Sequence, residues 1–230
     1  MKTREKILEI LEQNKGRFVS SRILTDKISV SRNAIWKAVN DLRNLGYEID
    51  SVTNKGYRLS DESDIISLQG IESFLKDRSK ISQVAVFDEL KSTNMTAKID
   101  AISGVIDKKV IIAKHQTAGV AHDGQNYDSP KGGIYISIIK EPPKDKKRIK
   151  SCDIGKAVAG VIESQTDKKI QLDPKTNRIY LNGERICGIM TEYIADLETG
   201  DISTYVIGIG IQLPGVSKNR LIAALIDRLL

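Results

Sequence analysis

Cysteine is almost missing from this chain. Cys152 and Cys187 stand alone, without the close spacing of a metal site or a disulfide framework, so two reduced thiols and no bound metal are expected. No apolar run approaches the roughly 18 residues that a membrane-spanning helix needs. Met1-Lys2-Thr3-Arg4 leads straight into an amphipathic pattern in place of an apolar signal segment. A cytoplasmic protein with no membrane partner is the expectation. Internal repeats and low-complexity tracts are also lacking, which excludes solenoids and disordered tails.

What is present is a core. At 230 residues and 40% hydrophobic content the chain can bury one large domain, or a small one followed by a medium one. Charge favours the second arrangement. Residues 1–60 carry 12 Lys and Arg against 7 Asp and Glu, whereas the remainder is nearly balanced at 24 against 23. Basicity concentrated at one end points to a polyanionic partner there.

The first segment has the periodicity of a helical DNA-binding unit. Ile7, Leu8 and Leu11 repeat at helical spacing up to a stop at Gly16. Ser20 or Ser21 can cap a second helix bearing Ile23, Leu24 and Ile28, and Ser29-Val30-Ser31 makes a tight turn. Ser31 then caps a third helix in which Ile35, Val39 and Leu42 form one buried stripe. Its other faces hold Arg32, Asn33, Trp36 and Lys37, a set suited to reading base edges and gripping phosphates. After Gly46, Tyr47 to Val52 alternates as a strand, Asn54-Lys55-Gly56 turns, and Tyr57-Arg58-Leu59 returns, giving a hairpin wing with Lys55 and Arg58 near its tip. The competing reading is a small helical protein-interaction domain with an exposed Trp36. The DNA reading assigns Ser31, Arg32, Asn33, Trp36, Lys37, Lys55 and Arg58 to the interface.

An acidic, polar stretch from Ser60 to Asp64 marks the expected boundary, with domains over 1–62 and 66–230. Strands are expected at Val84–Phe87, Val110–Ala113, Ile134–Ile138, Lys169–Leu172, Ile179–Leu181, Arg185–Tyr193 and Tyr205–Leu213. Helices are expected at Thr93–Ile102, Ile149–Ser164 and beyond Ser217, and Asn182-Gly183 signals a hairpin. The lysine-rich stretch Lys144 to Lys150 reads as a solvated helix start. His115 and His122 lie in one loop region, but no carboxylate or Cys pattern completes a catalytic or metal site around them.

Ser31-Arg32-Asn33-Ala34-Ile35-Trp36-Lys37, Asn54-Lys55-Gly56-Tyr57-Arg58-Leu59, Ser92-Thr93-Asn94, Gln116, Ser129 to Tyr135, Ile179 to Gly183 and Val206 to Ile211 together resemble the bifunctional biotin repressor/biotin protein ligase family, over nearly the whole chain. The resemblance implies an α+β chain: a winged helix-turn-helix, then a mixed sheet with flanking helices like that of class II aminoacyl-tRNA synthetases and biotin synthetases. It also implies biotin and adenylate in a cleft on one sheet face, operator DNA as partner, and homodimers. The ligand-binding positions it implies are Ser92, Thr93, Asn94, Gln116, Gly119, Val120, Ala121, His122 and Gly188. Of these, Ser92, Thr93 and Gln116 can hydrogen-bond a neutral head group such as a ureido ring.

Departures from the family cluster at the phosphate site. The family's Gly-Arg-Gly-Arg-x-Gly loop is met by Gly119-Val120-Ala121-His122-Asp123-Gly124, and its Lys-Trp-Pro-Asn-Asp by Pro174-Lys175-Thr176-Asn177-Arg178. Gln212 stands where the family usually has Asn, and the small C-terminal β domain common in the family is not seen before Leu230. Joining a carboxylate to an α-phosphate brings two anions together, and losing one electrostatic contact there costs roughly 3 kcal/mol of barrier. Only Lys175, Arg178 and Lys131 remain as stand-ins, with Lys175 the sole catalytic candidate. From the sequence, then, the expected function is a DNA-binding regulator, most simply a repressor, whose ligase-like effector domain has lost catalysis. Biotin or a similar small molecule is then an effector. The alternatives are an active ligase using ATP and Mg2+ to make biotinyl-adenylate, and a constitutive repressor whose second domain only pairs subunits.

Overall fold

The computed structural model describes residues 2–104, 108–121, 124–144, 148–166, 168–196 and 198–230, leaving aside the side chain of Ile81. By its internal contacts the chain divides into two compact units, Met1–Phe74 and Leu75–Leu230. Among the described residues no helix is long and apolar enough to cross a membrane.

The first unit is built from α1 (Thr3–Gln13), α2 (Ser21–Ile28), α3 (Arg32–Asn44), β1 (Ile49–Val52), β2 (Gly56–Leu59) and α4 (Leu68–Phe74). Serine caps start the second and third helices: Ser20 Oγ accepts the Ile23 N–H and Ser31 Oγ the Ala34 N–H, each at 3.2 Å. Ser29, in the left-handed region with φ of 59°, ends α2 and sets the turn between them. Ile7, Leu11, Leu24, Ile35, Val39, Leu42 and Leu59 are buried in one cluster, each side chain contributing about 1.5–3 kcal/mol by leaving water. β1 and β2 form an antiparallel hairpin with Ile49 opposite Leu59. A third segment joins it through the Val19–Tyr57 pair, with N···O distances of 2.7 and 2.9 Å. Gly56 lies at φ of +100°, and a Cβ there would run into the Val19 carbonyl, so the wing can close against this segment only with glycine. This is a winged helix-turn-helix.

The second unit contains β3 (Val84–Phe87), α5 (Thr93–Ile102), β4 (Val110–Ala113), β5 (Ile134–Lys140), α6 (Ser151–Thr166), β6 (Gln171–Asp173), β7 (Arg178–Leu181), β8 (Glu184–Ala195), β9 (Ile202–Ile211) and α7 (Lys218–Leu229). Its seven strands lie in the order β3-β4-β5-β9-β8-β7-β6, parallel between β3 and β4 and antiparallel elsewhere. This is the mixed sheet with flanking helices expected from the sequence. Both faces are apolar at the centre. Ile136, Ile138, Ile207 and Ile209 are buried on one side, and Ile111, Ile139 and Val206 pack with Ala97 and Ala101 of α5 on the other.

Strand register decides what the α5 face presents. Arg178, Gly188 and Gly210 share a row across β7, β8 and β9. The next row is Met190, Gly208 and Ser137, and the next is Glu192, Val206 and Ile139. Three glycines in two adjacent rows let Asn94, Tyr127 and Arg185 close directly onto the sheet beside the N-terminus of α5, and this area is the floor of a cleft.

Candidate functional site

The first unit exposes Arg32, Asn33, Trp36 and Lys37 along one side of α3. Trp36 is 59% exposed, an orientation that adds nothing to the core. Ser31 is occupied as the helix cap. Arg43 donates from Nε and Nη2 to the Ile49 carbonyl at 2.9 and 2.7 Å, fastening one flank of α3 to the wing. At the wing, Lys55 is exposed and its ammonium lies 5.9 Å from the Phe18 ring centre. Arg58 sits over the same ring at 4.9 Å and donates from Nε and Nη2 to Asp50 Oδ2 at 3.0 and 2.6 Å. Its guanidinium is thus engaged in holding the hairpin, and Lys55 is the cation nearer to being available.

In the second unit a cleft of about 210 Å³ opens over the glycine floor. Of the positions implied by the resemblance, Ser92, Thr93, Asn94, Gln116, Val120, Ala121 and Gly188 line it. Gly119 is buried just behind, where a Cβ would press on Tyr127 O and Ser129 Oγ. His122 lies outside the described residues. His115 is turned to Glu89, with Nδ1 2.9 Å from Oε2, and is not part of the lining.

Polar side chains along one wall are fixed by each other. Ser92 caps α5 through the Met95 N–H. The Gln116 Oε1 accepts from Thr93 N and Oγ1 at 2.8 and 3.1 Å, which leaves its Nε2 to donate to Ser129 Oγ at 2.9 Å, and Ser129 donates on to Tyr127 O. Ser137 joins Thr93 Oγ1 and Asn94 Oδ1, while Asn94 Nδ2 donates to Glu192, itself paired with Lys98 at 2.9 Å. A wall whose rotamers are locked in this way can present uncharged donors in fixed directions. Gly208 is required beneath it, since a Cβ would overlap the Asn94 amide.

The other wall is cationic. Lys175, Arg178 and Arg185 all line the cleft, whereas Lys131 does not. Lys175 and Arg178 flank the tight turn joining β6 to β7, in which Asp173 accepts from Lys175 N and Thr176 Oγ1 and Asn177 takes a positive φ. Burial pushes the Tyr127 phenol well above its ordinary range. It therefore stays neutral and donates to the Gly210 carbonyl at 3.0 Å, its ring lying on Gly210 with the Arg185 guanidinium stacked 5.1 Å from the ring centre.

Arg185 and Tyr127 were missed by reasoning from the sequence, and for Arg185 the cause is visible. Arg185 pairs with Tyr180 and Cys187 with Ile179, so β8 carries one extra residue, Ile186. That bulge reverses the side-chain alternation. Strict alternation from Gly188 would send Arg185 to the opposite face, but the bulge returns it to the cleft. The hairpin turn Asn182-Gly183 followed two positions later by a cation was the available signal.

The cleft thus pairs uncharged donors with a cluster of positive charge, and known proteins can be set beside it. Residues 3–58 match an HTH domain model, and residues 86–212 match the biotin/lipoate A/B protein ligase family. The bifunctional ligase/repressor of Bacillus subtilis is 32% identical over 91% of this chain and 65% of its own length. That of Escherichia coli is 29% identical over 86% of this chain and 60% of its own. The chain therefore spans less than two thirds of the length of these relatives. Among solved structures, a biotin acetyl coenzyme A carboxylase synthetase from Helicobacter pylori superposes with a TM-score of 0.52 at 20% identity, covering 63% of this chain and 72% of the other. A biotin protein ligase from Leishmania major gives 0.50 at 16% identity, covering 63% and 73%; these two show the fold. The expectation that the second domain is no longer an enzyme is corrected by the relatives, which are ligases by name across nearly all of this chain. The physical ground of that expectation was the missing loop arginines, and it overlooked Arg185. With more than half its length matched by one family model, the chain belongs to the biotin/lipoate A/B protein ligase family.

Proposed function

We propose that this protein is a bifunctional biotin-protein ligase and DNA-binding repressor, working through biotinyl-adenylate on the ligase side and through the winged helix on the DNA side. The observation that carries the ligase reading is the shared cleft of Lys175, Arg178 and Arg185 opposite the Thr93–Gln116 wall. Ser92, Thr93 and Gln116 hold the neutral head of biotin, and Ile189 and Met190 flank its apolar body. ATP supplies the activating adenylyl group. The three cations offset the charge that builds when a carboxylate meets an α-phosphate, the task given in relatives of this kind to loop arginines. Arg185, held flat on Tyr127, is oriented before substrate arrives, which avoids reorganisation in the transition state. The DNA reading rests on the exposed set Arg32, Asn33, Trp36 and Lys37 with Lys55 on the wing. Pairing into a homodimer supplies the area that one winged helix lacks for tight specific binding.

Calorimetric titration with biotin, then with Mg-ATP on the biotin-loaded protein, tests the ligase half. Saturable binding of biotin followed by release of pyrophosphate is expected. Absence of biotin binding by folded protein contradicts it.

A further inference from the structure

The wing lies on one flank of α3, and the N-terminus of α1 on another. At 100° per residue, Arg43 lies on the wing side of α3, where it is tied to Ile49, while Ala34, Lys37, Ala38 and Asp41 lie on the opposite flank. There they line a cleft together with Lys2, Thr3 and Arg4 of α1. Lys37 stands on the shoulder between this cleft and the face that carries Asn33, Trp36 and Asn40. Among the described residues no ion pair holds Lys2, Arg4 or Lys37. The carboxylate nearest in sequence, Glu5, is turned back to accept the Lys2 backbone N–H at 2.9 Å. Asp41, one turn beyond Lys37 on α3, is the one carboxylate among the residues lining the cleft, against the three cations Lys2, Arg4 and Lys37.

The geometry points to a DNA-backbone site in this cleft: Lys2 and Arg4 grip phosphates on the strand flanking α3 opposite to the one met by Lys55. This rests on the DNA-binding reading above and extends it. A helix seated in a major groove has a phosphate backbone along each side. The unit offers cations on both sides of α3, with the wing on one and the α1 terminus on the other. Lys2 and Arg4 contribute positioning and salt-dependent affinity and carry no base discrimination.

The test is the salt dependence of binding to a labelled mixed-sequence DNA duplex, measured for the full chain, for Lys2→Ala/Arg4→Ala, for Lys55→Ala, and for Lys168→Ala/Lys169→Ala as a control removing equal charge from the second unit. Each phosphate contact contributes about 0.9 to the slope of log affinity against log salt. The expected result is a slope shallower by about 2 per bound protomer for Lys2→Ala/Arg4→Ala, with unchanged melting and with the control like the parent. Because the cap uses the Lys2 backbone and not its side chain, folding should survive; Lys2→Gln/Arg4→Gln repeats the measurement with side chains of similar length. A parental slope in both double variants while Lys55→Ala still weakens binding overturns this site and leaves the DNA reading standing. An equal change in the control also overturns it. Failure of the parent to bind any duplex overturns both.

Discussion

At the scale of single residues, two charged groups reveal opposite uses of burial. Glu12 on α1 is 5% exposed, and its Oε2 has no hydrogen-bond partner among the described residues. The nearest ammonium, Lys15, stands 3.8 Å away and donates to the Ser63 carbonyl. Burial pushes the Glu12 carboxyl above its ordinary value, with Lys15 pulling it down and Asp64 adding to the rise. A carboxyl raised in the folded state favours folding only while protonated. Its contribution is full below the unfolded carboxylate pKa and is lost as pH climbs through the raised folded value. Glu12→Gln is therefore expected to stabilise the first unit at neutral pH by about 1 kcal/mol, and to change little near pH 4, about where a free carboxyl titrates. Thermal melting at the two pH values checks this, and a lower melting temperature for the variant at neutral pH would show that the Lys15 pair outweighs burial. Arg185 is the converse case, an exposed cation on an aromatic platform beside the cleft. Arg185→Ala should lower adenylate formation by roughly a hundredfold while leaving thermal stability nearly unchanged. Pyrophosphate release by the variant within a few-fold of the parent would remove Arg185 from the site.

At the scale of elements, the wing depends on one backbone position. Gly56→Ala must accommodate both a positive φ and a collision with the Val19 carbonyl, so it should destabilise the first unit by about 2–4 kcal/mol. Denaturant unfolding of the variant tests it, and a loss under half that size would show that the Val19 segment can move aside. Much of the element level was readable from the sequence. Ser20 and Ser31 stand at the helix starts that their side-chain chemistry dictates, and Ile35, Val39 and Leu42 are buried as their spacing requires. The strand centred on Ile136 and the helix Thr93–Ile102 fall where periodicity put them. α4 was not readable. Its seven residues hold too few turns to develop a periodic signal, and its place against α1 is a tertiary matter. Ile23, assigned to the apolar pattern of α2, is 46% exposed, since a single apolar residue beside a periodic stripe carries no facing information. The helix Thr93–Ile102 that carries one wall of the site was readable from its periodicity, whereas Ser92 entered through the resemblance and its capping of α5 is a finding of the structure. The site was unreadable where a bulge re-aimed a strand, as with Arg185, because alternation is the only guide to facing that a strand sequence provides.

At the scale of the whole molecule, one chain joins a winged helix-turn-helix unit to a unit whose cleft opposes uncharged donors to cations. The sequence alone suggested that catalysis had gone, because the loop arginines are missing and only Lys175, Arg178 and Lys131 were counted as stand-ins, without Arg185. The fold places charge in the same cleft from β7, β8 and the turn before β7, so positive potential at a site can survive the loss of the motif that usually supplies it. The central claim is that this redistributed charge supports the ligase reaction. Its most direct test is incorporation of labelled biotin into a biotin-accepting carrier domain by the purified chain with Mg-ATP, run beside Lys175→Ala and Arg185→Ala. The account predicts incorporation by the parent that is strongly reduced in both variants. No incorporation by folded, biotin-binding parent protein would contradict it.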